Sequence, residues 1–363
     1  MKKLLSVVLA GAMAMSLAAC GGSSTATTTA APAAAETTAA AAAAAAPAAP
    51  AASGDVLELN LAHTLDAEHP VHLGSVYFAD KLAELSGGTM HVTVYPNSGL
   101  GDEDEVAEIQ SYSDSITFSL PSGCVLQNYT GAAYAFDFYF QFDNYDQVWK
   151  FYDGEYGDYV KKDLEGTGLK VLNYWDNGFR NLTTSSKEVR TPADLQGMKI
   201  RVMNAETHLA AWNALGAAAT PIAYAEVYSA LQQGVVDGEE NPYFNIYGSR
   251  FQEVQKYVYN DRHVHDVSPF IVSQKAWDSF TDEQKGWIEE ASWEGAKYMR
   301  EKAVELEDEV LKKLQDAGMT YVELTPEEIE QFKAAVADVP AQFKDRMGDE
   351  AFAEYEKCIA AVH

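Results

Sequence analysis

Two arginines stand out in this chain: Arg180, in the phrase NGFRN that begins at Asn177, and Arg201, in the phrase GMKIRVMN that begins at Gly197. Both read as short-loop or strand-end positions. The chain has seven arginines and a formal net charge of -28, yet three of the seven lie between 180 and 201. A cationic focus in so acidic a chain suits a small anion better than a polyanion. Surface pairing with the abundant carboxylates is the plainer reading of the same residues.

Other chemistries have weaker support. His69-Pro70-Val71-His72 and His263-Val264-His265 gather imidazoles, but neither has the HExxH spacing or the cysteine partners of a strong metal site, so no metal is expected. The acidic run Asp102 to Glu105 reads as the charged first turn of a helix rather than a calcium loop. The sequence has no GxSxG elbow, phosphate loop or dinucleotide fingerprint, and it does not single out a glycosidase pair among its 54 acids. Neither an enzyme nor a cofactor is expected.

The elements that must position these residues are legible from Asp55 onward. Val56 to Leu61 alternates as a strand, and a helix follows from about Val71 to Ser86, ended by Gly87-Gly88. Next come a strand at Met90 to Tyr95, a turn at Pro96 to Gly99, a helix from about Asp102 to Ser111 and a strand at Ser115 to Leu120. This alternation predicts a mainly parallel sheet with helices on both faces and ligands at the carboxyl ends of the strands. His63 to Pro70, Asn97 to Gly101 and Leu120 to Cys124 then lie near any site.

The grammar repeats over 178–266, with a strand at Met198 to Met203, helices at His208 to Leu215 and Ala225 to Gln233, and a short strand at Val235 to Asp237. The apolar run Pro269 to Ser273 crosses back to the first part. Thr281-Asp282-Glu283-Gln284 is a capping box, and nothing breaks the following helix until Gly318 apart from the tolerable Gly286 and Gly295. Such a helix runs roughly 50 Å at about 1.5 Å per residue, long enough to lie across two lobes. A second capped helix opens at Thr325-Pro326-Glu327-Glu328. About 300 residues exceed what one core usually organises, so a two-lobed α/β fold is expected.

The amino terminus has a different character. Residues 1–19 have the layout of a secretory signal, with Lys2 and Lys3 before an apolar run, and Leu17-Ala18-Ala19-Cys20-Gly21 looks like a lipobox that makes Cys20 the lipidated first residue of the mature protein. Residues 20–54 then form a tether of Ala, Thr, Ser, Pro and Gly with one charge, Glu36, and a reach of order 30 Å. The acidic balance argues against nucleic acid and against anionic lipid headgroups as the main partner. Cys124 and Cys358 could pair in an exported chain, but two buried, unpaired thiols are the favoured reading.

The chain from 55 to 363 resembles the solute-binding receptors of tripartite ATP-independent periplasmic (TRAP) transporters, the DctP-type family. The resemblance rests on HPVHLG, YPNSGLG, GFRNLT, LQGMKIRV, EVYSALQQGVVDGEENP and RFQEVQKYV, in the family's order and spacing. It implies a periplasmic-binding-protein-like fold with a ligand cleft between lobes, residues 55–177 plus about 267–307 forming lobe I and 178–266 plus about 308–363 forming lobe II. It also implies a monomer that closes on a small organic acid and delivers it to a sodium-coupled membrane permease.

By this resemblance Arg201 makes a two-pronged salt bridge to the ligand carboxylate, and Arg180 is a second ligand contact. Asn204 and Asn241 complete the pocket, Tyr224 stands where the family usually has an aromatic, and His63 takes the variable first-strand contact. The planar guanidinium fits a carboxylate with two parallel hydrogen bonds, each worth about 1.5 to 3 kcal/mol when water is excluded. One such pair with apolar contacts reaches about micromolar affinity. Core readings compete for some positions: a turn cap for Asn241, ordinary packing for Tyr224, a strand-end hydrogen bond for His63. Tyr174 and Trp175 are further aromatic pocket candidates. The acid itself stays open among C4-dicarboxylates, keto acids, sugar acids and aromatic acids. The alternative role is a receptor that feeds a membrane signalling sensor.

Overall fold

The computed structural model describes residues 56–363, so the signal, Cys20 and the tether lie outside the described residues. Ten strands are hydrogen-bonded into one sheet: β1 (Leu57–Ala62), β2 (Met90–Tyr95), β3 (Phe118–Ser119), β4 (Leu169–Thr184), β5 (Lys199–Val202), β6 (Ala218–Pro221), β7 (Gly238–Asn241), β8 (Tyr257–Tyr259), β9 (Val264–Ser273) and β10 (Thr320–Val322). Eight follow the order β2-β1-β3-β9-β4-β7-β5-β6, while β8 pairs with β4 and β10. β1, β2 and β3 form one parallel group and β5, β6 and β7 another. The two groups are joined by antiparallel pairing of β4 with β9 and with β7. The expected parallel sheet thus holds within each half but not at the join.

β4 is the longest strand that sequence reading misses, along with the short β6, β8 and β10. It is 16 residues long and buried without interruption from Tyr174 to Thr184, so it lacks the alternation that marks a half-exposed strand. Two expected strands differ as well. Ser115 to Leu120 contributes only Phe118–Ser119, and Val235 to Asp237 is a bend from which β7 emerges at Gly238. At Gly238 a Cβ would lie 2.3 Å from the Thr183 carbonyl oxygen, so the strand pairing itself demands glycine there.

Helix α1 (Pro70–Leu85) is capped by the His69 side chain, and α2 (Glu103–Tyr112) opens with a capping box between Asp102 and Glu105. The long helix Asp282–Asp316 has both hydrogen bonds of its predicted capping box, and so does the helix Pro326–Val336. The long helix serves two cores. Its first half packs Ile288, Ala296 and Met299 with Phe78, Phe118, Trp175 and Phe270, and its last turns pack Val310 and Leu314 with Val227, Ile246 and Val258. A third and larger core gathers Phe136, Tyr152, Trp212 and Phe352. Cys124 and Cys358 are free and buried, as expected.

Candidate ligand-binding site

The site is built on the middle of β4, where the pairing register with β9 shifts between Asp176 and Gly178. Gly178 holds φ at +114°, a conformation that favours glycine, and an added Cβ would lie 3.2 Å from the Pro242 ring. This irregularity sets Asn177 and Arg180 beside Asp266 on β9 and Glu240 on β7. Arg180 donates from Nε to Glu240 Oε2 at 2.6 Å, from Nη1 to Asp266 Oδ2 at 2.8 Å, and from Nη2 to Glu240 Oε1 at 2.7 Å and to the Glu240 carbonyl. One N–H on Nη1 is left for another partner. Burial opposes the Arg180 charge, but Glu240 and Asp266 together outweigh it and hold the guanidinium pKa well above its usual value.

Behind this pair lies a second layer. His263 bridges Glu240 Oε2 at 3.0 Å and Asp261 Oδ2 at 2.6 Å. Burial disfavours its charge, yet Asp261 and then Glu240 prevail and raise its pKa to about 9. Asn177 Nδ2 donates to Asp266 Oδ2 at 2.9 Å, and the Ser122 hydroxyl donates to the same oxygen at 3.3 Å.

Arg201, on β5, is in the opposite situation. It is 3% exposed, its Nε donates to the Ile222 carbonyl at 2.9 Å, and its Nη1 is buried without a partner. Among the described residues no carboxylate lies within ion-pair distance of it. Burial, followed by repulsion from Arg180, lowers its pKa against the partial support of Glu240 and Glu239. A buried guanidinium without a counter-charge is costly unless an anion completes it.

Arg180 and Arg201 share one cavity of about 240 Å³. Asn204, Tyr224 and Asn241 line it as well, so five of the six expected ligand contacts come together. Asn241 is buried and donates to Glu239 Oε2 at 2.6 Å, and burial raises the Glu239 pKa to about 7. Tyr224 accepts from Ser249 Oγ at 2.7 Å and donates to the Asn245 carbonyl at 3.4 Å. Asn204 is exposed and donates to Asp104 on α2 at 3.2 Å.

His63 does not join them. It lies next to a separate small cavity with its Nε2 3.1 Å from His72 Nδ1, and burial lowers its pKa to about 3. Thr64, the next residue in the loop after β1, lines both that small cavity and the one shared by the arginines. Tyr174 and Trp175 are core residues, held by hydrogen bonds to the Gly157 carbonyl and to Asn173.

The facing wall comes from the predicted loops and from α2: Ser98, Ser122, Cys124 and the acids Asp102, Glu103 and Asp104. Glu103 accepts from Thr64 Oγ1 at 3.0 Å and from the Ser122 backbone. Burial and then repulsion from Asp266 raise its pKa to about 7. Sequence reading missed Glu103, Asn177 and Asn245 as lining residues, while Thr64 falls within the expected loop His63 to Pro70. Asn177 sits within the NGFRN phrase, the signal that was available for it.

The histidine phrases have other partners than a metal. His69 caps α1 and meets Asn245 Oδ1 at 3.0 Å, and His265 meets Asp176 at 2.8 Å. Among the described residues one cluster, Glu155, Glu354 and Cys358, has metal-like spacing, and the Lys357 ammonium bridges both of its carboxylates at 2.6 and 3.0 Å.

Comparison with known proteins places this architecture. The chain is 30% identical over 316 residues to the C4-dicarboxylate-binding periplasmic protein DctP of Rhodobacter capsulatus, covering 85% of this chain and 93% of that one. It is 31% identical over 254 residues to the 2,3-diketo-L-gulonate-binding periplasmic protein of Escherichia coli, covering 69% and 76%. The crystal structure of the sugar acid binding protein from Advenella mimigardefordensis in complex with galactonate superposes with a TM-score of 0.82 at 29% identity, covering 85% of this chain and 99% of that one. Residues 61–346 match the DctP family, described as "Bacterial extracellular solute-binding protein, family 7". The chain belongs to that family, the two-lobed solute receptors of TRAP transporters, and is a binding protein rather than an enzyme.

Proposed function

We propose that this receptor captures one small organic acid by placing its carboxylate against Arg201 and closing the cleft around it. The unpaired, buried Arg201 guanidinium on the cavity wall carries this reading. In it, Arg180 is fixed by Glu240 and Asp266 and offers its remaining N–H, while Asn204, Asn241 and Tyr224 supply neutral contacts. His63 lines the adjoining small cavity rather than the one that holds the arginines. The lobes are divided at about 177/178, 266/267 and 307/308, with β4, β9 and the long helix crossing between them. The protein acts as a monomer, lipid-anchored through Cys20 outside the cytoplasmic membrane, and hands its ligand to a sodium-coupled permease.

Isothermal calorimetry against an organic-acid library tests the central claim. Arg201→Ala loses affinity by about 100-fold or more, because it removes a two-pronged, charge-assisted contact. Arg201→Lys retains a weak remnant, since a point charge replaces the fork. Unchanged affinity in Arg201→Ala overturns the assignment.

A further inference from the structure

The charges on the cavity wall narrow the class of acid, an inference that rests on reading the cavity as a carboxylate site. Among the lining residues the cationic side chains are Arg180 and Arg201. Arg180 is already matched by two carboxylates, Glu240 at 2.6 Å and Asp266 at 2.8 Å. One positive charge is therefore free, enough for one ligand carboxylate. The facing wall is acidic. Asp102 is used as a helix cap, accepting from the Glu105 N–H at 2.9 Å, and the two oxygens of Asp104 accept from Asn128 at 3.0 Å and Asn204 at 3.2 Å.

Glu103 is the wall acid engaged neither as a helix cap nor in the contact with Asn204. Thr64 Oγ1 and the Ser122 backbone donate to it, and a carboxylate has about four acceptor positions. A second carboxylate on the ligand would meet this acid with no cation between them. Hydroxyl groups would meet acceptors. We propose that Glu103 is a specificity-determining residue that accepts hydrogen bonds from the hydroxyls of the bound acid, so that the site takes polyhydroxy monocarboxylates of the aldonate kind and rejects dicarboxylates. Its raised pKa fits a carboxylate short of donors until the ligand supplies them.

The test is calorimetry at about pH 8, where Glu103 is mainly ionised, with matched compounds on one carbon skeleton. These are short-chain aldonates, the aldarates that add a second carboxylate, and the alditols that have none. The wild-type protein binds its preferred aldonate about 100-fold more tightly than the matching aldarate, and Glu103→Gln narrows that ratio to below about 10-fold. An aldarate or succinate that binds as tightly as every aldonate overturns the inference, as does a ratio unchanged in Glu103→Gln or the failure of every aldonate to bind. If the variant does not fold, the wild-type ratios decide. An alditol that binds as tightly as its aldonate, unaffected by Arg201→Ala, would overturn the carboxylate reading itself. A dicarboxylate whose binding requires Arg201 would leave that reading intact and remove only the role of Glu103.

Discussion

Arg180 and Arg201 are both buried in one cavity, and they differ in the partners they hold. Removing the Arg180 charge leaves Glu240 and Asp266 facing each other's neighbourhood unpaired, with His263 as the remaining cationic neighbour of Glu240. Breaking a buried ion pair in this way costs about 3 to 5 kcal/mol. Arg180→Met should lower the unfolding free energy by that amount in urea titration, while Arg201→Met, which removes a cation with no counter-charge, should stay within about 1 kcal/mol of wild type or exceed it. Equal losses in the two variants would contradict the division of labour. The resemblance implies the principal carboxylate contact for Arg201, but the ion pairs that hold Arg180 are not legible in the sequence, because its partners lie 60 and 86 residues away. The same distance problem hides Glu103. Its run reads correctly as a helix start, yet the placement of Glu103 on the cavity wall involves Thr64, 39 residues earlier. His63 illustrates the finest limit: it and Thr64 are neighbours in the loop after β1, yet Thr64 reaches the cavity of the arginines and His63 does not.

At the scale of elements, features with a local cause were legible and features with a distant cause were not. The capping boxes at Thr281 and Thr325 depend on side chains three residues apart, and both helices begin where those boxes place them. β4 depends on partners on both edges, and its polar residues Asn173, Asp176, Asn177 and Asn181 mask it as a strand, although the fold gives each of them a hydrogen-bond partner. The long helix shows both cases in its two glycines. Gly286 has open space around a built Cβ, so alanine there should stabilise the protein by about 0.5 to 1 kcal/mol through helix propensity. Gly295 does not share that freedom: its Cβ would lie 2.8 Å from the Trp175 ring and 3.2 Å from the Gly74 carbonyl, where α1 crosses the long helix. Gly295→Ala should therefore destabilise by about 1 to 3 kcal/mol from overpacking. Thermal melts of the two variants should move in opposite directions, and a shared sign would show that propensity, not the helix crossing, governs both sites.

For the whole molecule, the question is what holds the two walls of the cavity together when no ligand bridges them. Two walls with three acids on one side and one free cation on the other attract weakly across water, and exposed pairs of this kind contribute little. Among the direct contacts that cross are the Ser122 to Asp266 hydrogen bond at 3.3 Å and the exposed Asn204 to Asp104 hydrogen bond at 3.2 Å, the latter reinforced by Asn128 on the same carboxylate. An exposed hydrogen bond to a charged group contributes on the order of 1 kcal/mol, so it biases closure without locking it. Apparent affinity scales with the fraction of molecules in the binding-competent state. Asp104→Ala should therefore weaken ligand binding about 3- to 10-fold without contacting the carboxylate at Arg201. In the Asn204→Ala background the same substitution should add almost nothing, since the bond is already lost. Calorimetry on the four proteins of that cycle checks the point: additive losses would mean that Asp104 and Asn204 act on the ligand separately and that the cleft closes without a latch between them.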